Sequence, residues 1–167
     1  MAIWIENESA FHIHTLHTSE EAEDLEEWLP YWNDKHSGWQ EAKAKFEAEQ
    51  SLDVDAVSEP TKNKSFDPAD YVLPETGFYF VLLEIAVPGM DATAFDSTHR
   101  SLVYTVAIDN ADPAHFLVMD VLGTPVEDRD EEKWQVSYDV SALTSTKALL
   151  DSILVTVSRE NKTSEDK

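Results

Sequence analysis

The segment FYFVLLEIAV, residues 78–87, decides the fold of this 167-residue chain. Its side chains are apolar in both alternating phases, with Glu84 as the exception. A strand that is apolar in both phases is covered by protein on both of its faces. The segment therefore predicts a strand in the middle of a sheet and not at its edge.

The residues after this segment also alternate with the period of β-strands. Apolar side chains recur at every second position over residues 102–108, a short apolar run covers 116–122, and a last candidate strand covers 153–157. The clearest alternation, over residues 134–140, predicts one face in the core and one in solvent. The predicted core residues are Trp134, Val136, Tyr138 and Val140, and the predicted solvent residues are Gln135, Ser137 and Asp139.

Residues 2–5 and 11–16 predict two N-terminal strands, and a long insertion separates them from residues 78–87. Thr18 and Glu21 fit a capping box, which predicts a helix that ends at Pro30. The spacing of apolar residues predicts a second helix over 37–50.

The insertion is rich in aromatic side chains, for which two interpretations are open. They form either a stacking surface for a ring-shaped ligand or a small core beneath a long loop. The residues concerned are Trp28, Tyr31, Trp32, Trp39 and Phe46.

Together these elements predict a mainly β protein, an antiparallel Ig-like β-sandwich with a small helical insertion near residues 18–50. The length is that of one domain, predicted over residues 1–158. The tail, residues 159–167, contains no apolar side chain and is predicted to be disordered.

The charge of the chain restricts its partners. It contains 12 Lys and Arg against 34 Asp and Glu, a net charge of −22. Such a surface repels nucleic acids and anionic membranes, and no apolar run is long enough for a membrane span, so we expect neither nucleic-acid binding nor membrane insertion. Zero cysteines exclude disulfides and thiolate chemistry. No leader is recognisable, so the chain as written predicts a cytoplasmic protein.

The stretch FHIHTLH, residues 11–17, has the most metal-like composition in the chain. On a regular strand His12 and His14 share a face and could bind one ion, or the same face could simply be exposed to solvent. The exposed face is the prediction, so we expect that these histidines bind no metal ion.

The acidic run 128–132 predicts a solvated loop. The motifs of common hydrolases and of phosphate-binding loops are missing from the sequence, so we expect no enzymatic activity.

The segment DAVSEPT, residues 55–61, carries a resemblance to a known family. It is similar to the D-A-V-S-G-A-T segment of a bacterial family of predicted periplasmic proteins, domain of unknown function 2271. The opening strand, residues 2–6, and the strand that ends at Glu84 also resemble that family. The resemblance implies a non-enzymatic β-sandwich, periplasmic if a leader has been removed.

The same segment resembles the acceptor site at which a flavin transferase esterifies FMN to the final threonine. The resemblance implies cofactor-binding positions at Asp55, Ser58 and Thr61, with Thr61 as the attachment point. Glu59 and Pro60 stand where the acceptor has Gly and Ala, and they stiffen the backbone and add a negative charge. We therefore expect a binding or accessory module without a cofactor, whose ligand, protein partner and oligomeric state stay open. The alternative is an electron-transfer module that carries FMN on Thr61.

Overall fold

The computed structural model describes residues 1–19, 28–50, 73, 76–86, 101–111, 116–139 and 153–157, without the side chains of 45–50. Within these residues the chain forms eight strands and one helix. Their bounds are β1 Ala2–Asn7, β2 His12–Thr18, α1 Pro30–Gln50, β3 Phe78–Ala86, β4 Ser101–Asp109, β5 Phe116–Val118, β6 Asp120–Asp128, β7 Lys133–Ser137 and β8 Leu154–Thr156. The predictions for Glu21, Phe46, Val140 and the tail 159–167 lie outside the described side chains.

Six strands form one sheet in the order β2-β1-β3-β4-β6-β7, and β5 pairs with β8 in a second, two-stranded sheet. Every pairing is antiparallel. The prediction of a mainly β, antiparallel fold is therefore confirmed. So is the prediction for residues 78–87, because β3 lies between β1 and β4, and four consecutive side chains from Val81 to Glu84 are buried.

Each face of the six-stranded sheet packs against a different layer. On one face Ile5, Val81 and Leu83 belong to a core against which the inward side chains Leu117 and Val155 of the small sheet pack. On the other face the core includes Leu29, Tyr31 and Trp32 at the start of α1, together with strand residues. Those strand residues are Ala2, Trp4, Leu82 and Val103. Burying a side chain as large as Trp32, which is 1% exposed, stabilises the fold by roughly 3 kcal/mol.

The helix α1 begins at Pro30, the residue at which the sequence predicted the end of an earlier helix. That earlier helix falls mainly on residues 20–27, which lie outside the described part of the chain. Proline suits the first helical position because its φ is already helical and its missing N–H would have no partner within the helix. The predicted start of a second helix at residue 37 is wrong, since α1 is continuous through Gln50. Tyr31 and Trp32 are buried against the sheet, as the core interpretation requires, while Trp28 is exposed.

The strand β7 ends earlier than the alternation predicted. Trp134 and Val136 pack against the helix-side core, and Gln135 and Asp139 are exposed, as expected. Tyr138, however, is 74% exposed, and Ser137 is half-buried. The prediction that Tyr138 points into the core is wrong because β7 ends at Ser137, so the alternation of the sheet does not continue to the next side chain.

The strands β6 and β7 approach each other closely at Gly123. A Cβ atom at this position would collide with the carbonyl oxygen of Ser137 and lie 2.8 Å from Cγ1 of Val136. Glycine is therefore required where β6 passes from its pairing with β4 to its pairing with β7.

In the described part of the chain no helix combines the length and the apolar character of a membrane span.

Candidate functional site

The side chains with the most perturbed chemistry lie between α1 and the sheet. Four of them come from strands, namely Glu6, His12, Thr15 and Glu84, and four come from α1, namely Tyr31, Trp32, Lys35 and His36. We call these eight residues the helix-side cluster. It contains two buried carboxyl groups, two imidazoles and one indole, so it is the first place to look for a functional site.

Glu84 is wholly buried and binds the N-terminus of α1. Its Oε2 accepts the backbone N–H of Trp32 at 2.6 Å, and its Oε1 accepts that of Tyr31 at 3.4 Å and the hydroxyl of Ser101 at 2.5 Å. The first turn of a helix leaves N–H groups without partners and carries a partial positive charge. A carboxyl group at this place therefore satisfies both the hydrogen bonds and the electrostatics.

The helix needs this distant cap because its own N-terminal residue cannot supply one. The carbonyl oxygen of Leu29 accepts the first helical bond, from the N–H of Asn33 at 3.0 Å, so Leu29 occupies the N-cap position. A leucine side chain has no hydrogen-bond acceptor, unlike the Ser, Thr, Asp or Asn usual there. Glu84, on a strand far along the chain, takes over that role.

Neighbouring strands leave room for the Glu84 carboxyl group. Its direct neighbours across the sheet are Ala2 on β1 and Val103 on β4, and Ser101 lies opposite Ala86, two positions along β3. The small side chains of Ala2 and Ser101 provide space, and the Ser101 hydroxyl provides a donor. Burial raises the pKa of Glu84 to about 7, although its hydrogen bonds to Ser101, Trp32 and Tyr31 act in the opposite direction.

A second buried carboxyl group attaches the same helix to the β1–β2 hairpin. Oε1 of Glu6 accepts a hydrogen bond from Nε1 of Trp4 at 2.9 Å and lies 3.9 Å from Nζ of Lys35. Lys35 also donates to the carbonyl oxygen of Ala10 at 2.9 Å, and its ammonium lies 5.4 Å from the ring centre of Tyr31. Burial raises the pKa of Glu6, and the Trp4 bond and the Lys35 charge oppose that shift.

The hairpin contains two irregularities in β2 that separate the histidines of residues 11–17. Ile5 lies opposite His14 and Glu6 lies opposite His12, with a register shift between the two pairs. Because directly opposite residues share a face, His12 lies on the helix side with Glu6, and His14 lies on the face of Ile5. His12 is buried as well. The prediction that His12 and His14 share a face exposed to solvent is wrong, since an extra residue in a bulge reverses the alternation.

His12 instead meets side chains of α1. Its ring centroid lies 5.5 Å from that of His36 and 5.2 Å from that of Trp39. His36 stacks on Trp32 at 4.8 Å with 13° between the ring planes. Burial, and then the nearby His36, His14 and Lys35, lowers the pKa of His12 to about 3. The pKa of His36 is also lowered by burial. Both imidazoles are therefore neutral at physiological pH.

Chemically, the cluster divides into two parts. The carboxyl groups of Glu84 and Glu6 contact α1 and hold it on the sheet. The imidazoles of His12 and His36 are neutral, held at one ring nitrogen and surrounded by indoles. Among the described residues, no group of three or more histidine, aspartate or glutamate side chains is arranged to bind a metal ion.

The positions that the sequence singled out are only partly described. Asp55, Ser58 and Thr61 lie outside the described residues, so their role as cofactor-binding positions stays a prediction. In the acidic run 128–132, Asp128 ends β6 and is half-buried, and residues 129–132 form the exposed turn between β6 and β7. There Oδ1 of Asp128 accepts a hydrogen bond from the backbone N–H of Asp130 at 3.0 Å, and its Oδ2 accepts one from Nε2 of Gln135 at 2.8 Å.

Sequence reasoning missed Glu84, Glu6 and His36 as members of a cluster. For Glu84 the signal was present, because it is an acid within an otherwise apolar central strand. Because burying a charged group is costly, such a group needs hydrogen-bond partners, but the sequence of the strand alone does not identify them.

Comparisons of the chain with models of protein families, with curated proteins and with solved structures found no match.

Proposed function

We propose that the protein is a non-enzymatic binding or accessory module, built as an Ig-like β-sandwich. The observation that carries this proposal is the outer face of the two-stranded sheet, which we call the β5–β8 face. Leu117 and Val155 point inward, whereas Phe116, Val118 and Leu154 point outward and are 79%, 53% and 60% exposed. Three adjacent exposed apolar side chains on two paired strands are typical of surfaces that bind a partner.

The helix-side cluster supports a non-enzymatic function. Its most perturbed carboxyl group, Glu84, has a pKa of about 7 that would suit general acid-base catalysis, but the group is wholly buried and receives three hydrogen bonds from this chain. A catalytic acid must reach a substrate. The structural role of Glu84 as a helix cap accounts for both its burial and its hydrogen bonds.

The charge of the chain defines the chemistry of the partner. With a net charge of −22, the protein repels acidic partners at long range and attracts basic ones. The β5–β8 face supplies apolar contacts for the bound state. The partner that fits both features is a protein with an apolar patch on a basic or neutral surface.

Affinity capture from the native host, followed by measurement with the purified partner, tests this proposal. Isothermal titration calorimetry would compare the wild type with a Phe116→Ser, Val118→Thr double variant. Removing two exposed apolar side chains should weaken binding at least about tenfold without altering the fold. Phe78→Ser is a matched control, because Phe78 is also a large exposed side chain, at the start of β3. Equal affinities of the double variant and the wild type would contradict the proposal.

The sequence alternative, FMN on Thr61, stays a prediction supported by the resemblance of residues 55–61 alone. Its test is the intact mass of the protein co-expressed with a flavin transferase. If Glu59 and Pro60 block the reaction, the wild type keeps its mass, and a Glu59→Gly, Pro60→Ala variant gains FMN. An adduct on the unaltered chain would make electron transfer the preferred function.

A further inference from the structure

Among the described residues, no hydrogen-bond partner is present for one ring nitrogen of His12 and one of His36. In the described part of the chain, the Nδ1 atoms of His12 and His36 are buried and make no hydrogen bond. A buried polar atom without a partner costs about 1–3 kcal/mol. Two such atoms on rings in mutual contact call for a shared explanation, such as a bound ion or an enclosed water.

The other nitrogen of each ring is held in place. Nε2 of His12 lies 2.9 Å from the hydroxyl oxygen of Thr15, and Nε1 of Trp32 donates to that same oxygen at 3.3 Å. Nε2 of His36 lies 2.7 Å from the side-chain amide of Gln40. In metal-binding histidines the nitrogen away from the metal donates to a fixed acceptor, which orients the ring. His12 fits this pattern, and His36 fits it when the Gln40 side chain presents its amide oxygen in place of its nitrogen.

The required protonation states are available to both rings. If Thr15 accepts the Nε2 proton of His12, the Nδ1 of that ring has a free lone pair. If the amide of Gln40 turns by half a turn, its oxygen accepts the Nε2 proton of His36, and that Nδ1 is free as well. Both imidazoles have lowered pKa values, so protons compete weakly with an ion for these nitrogens.

The distance between the rings also fits a shared ion. Metal–nitrogen bonds are about 2.0–2.1 Å long, so two imidazoles on one ion have ring centres roughly 4.5–6 Å apart. The centroids of His12 and His36 are 5.5 Å apart, with 72° between the ring planes. Trp32 and Trp39 lie against these rings, within 6 Å between ring centroids.

We propose that His12 and His36, through their Nδ1 atoms, bind one imidazole-preferring divalent transition-metal ion between β2 and α1, with water as the remaining ligands. Two protein ligands give a modest affinity, which is greatest for Cu²⁺ among the common divalent ions. The positive charge of Lys35 opposes a cation at this place, and the carboxylate of Glu6, 3.9 Å from that ammonium, offsets it. The inference is independent of the β5–β8 face.

The test is a titration with Cu²⁺ at an ionic strength of about 0.15 M, which screens diffuse attraction to the acidic surface. Two signals follow the ion: quenching of tryptophan fluorescence, because Trp32 and Trp39 lie against the imidazoles, and nitrogen hyperfine splitting in the electron paramagnetic resonance spectrum. We expect one ion per chain with two coordinated imidazole nitrogens in the wild type.

Three single variants assign the ligands. His12→Gln and His36→Gln should each weaken Cu²⁺ binding at least about tenfold. His14→Gln is the matched control, since His14 is two residues from His12 but on the other face, and it should bind like the wild type. Circular dichroism checks that each variant folds. If His12→Gln does not fold, His36→Gln and the nitrogen count of the wild type decide.

Three results would overturn the proposal. The first is a spectrum of the wild type that shows oxygen ligands alone, which indicates that Cu²⁺ binds to surface carboxylates. The second is a loss of Cu²⁺ affinity in His14→Gln as large as in the other two variants. The third is no stoichiometric binding of Cu²⁺. The last result would leave an enclosed water as the partner of the two Nδ1 atoms.

Discussion

The two faces of the six-stranded sheet are both buried, but they are held by different forces. On the side of the small sheet the core consists of apolar contacts around Val81, Leu83 and Leu102. On the helix side the apolar core is combined with the buried groups Glu84 and Glu6. Apolar contacts are not directional, whereas hydrogen bonds to a carboxyl group fix a position. The hydrogen bonds of Glu84 and Glu6 therefore determine where α1 lies on the sheet, and the apolar contacts stabilise both faces.

The largest expected effect is that of Glu84→Ala. The change leaves the N–H groups of Tyr31 and Trp32 and the hydroxyl of Ser101 without an acceptor and opens a cavity, so we expect a loss of about 3–5 kcal/mol in the free energy of unfolding. Urea denaturation measures this loss.

Leu83→Ala is the control for this variant, because Leu83 is adjacent but lies on the other face. It should cost about 2–5 kcal/mol as a cavity mutation. Hydrogen exchange separates the two variants, since only Glu84→Ala should selectively expose the amides of Tyr31 and Trp32. Equal protection of these amides in both variants would show that Glu84 does not cap α1.

The pH dependence of stability should differ in sign between the two kinds of helix-side group. The pKa of Glu84 is raised from 4.5 to about 7, so the fold favours its protonated form, and stability is lost as the pH rises through this range, by about 3 kcal/mol at most. The pKa of His12 is lowered from 6.5 to about 3, so stability is lost as the pH falls below 6.5, by about 5 kcal/mol at most. Glu6 acts in the direction of Glu84, and His14 and His36 act in that of His12.

Single variants separate these opposing contributions. Relative to the wild type, Glu84→Gln should become more favourable as the pH rises from 4.5 to about 7, and His12→Gln as it falls from 6.5. Leu83→Ala should differ from the wild type by a constant amount. Urea midpoints across this pH range test the signs, and parallel curves for all three variants would refute them.

The smallest expected effect marks the end of the helix-side face. Trp134 packs against the helix-side core, so Trp134→Ala should cost about 2–3 kcal/mol. Tyr138 is one residue beyond β7 and exposed, so Tyr138→Ala should change stability by no more than about 0.5 kcal/mol. Thermal denaturation of the two variants checks this order. A Tyr138 variant as unstable as the Trp134 variant would place residue 138 in the core after all.

Hydrophobic periodicity predicted the fold class and the central position of residues 78–87, because burial on both faces leaves a direct mark on the composition of a strand. It could not predict where β7 ends, since Tyr138 continues the pattern without continuing the strand. It could not predict that Pro30 begins α1, because proline is common both at the first position of a helix and just after the end of one. No sequence pattern marks the bulges in β2, so the contact between His12 and His36 could not be predicted from the sequence.

The carboxyl pKa of Glu84 shows whether this group holds α1 on the sheet. Carbon-13 NMR of glutamate-labelled protein, assigned with Glu84→Gln, follows the carboxyl group, and nitrogen-15 spectra follow the amides of Tyr31 and Trp32. If Glu84 caps α1, its pKa is near 7 and both amides shift in the same titration, because they donate to the titrating group. A pKa near the ordinary value of 4.5, with amides that do not respond to the titration, would show that Glu84 does not hold the helix.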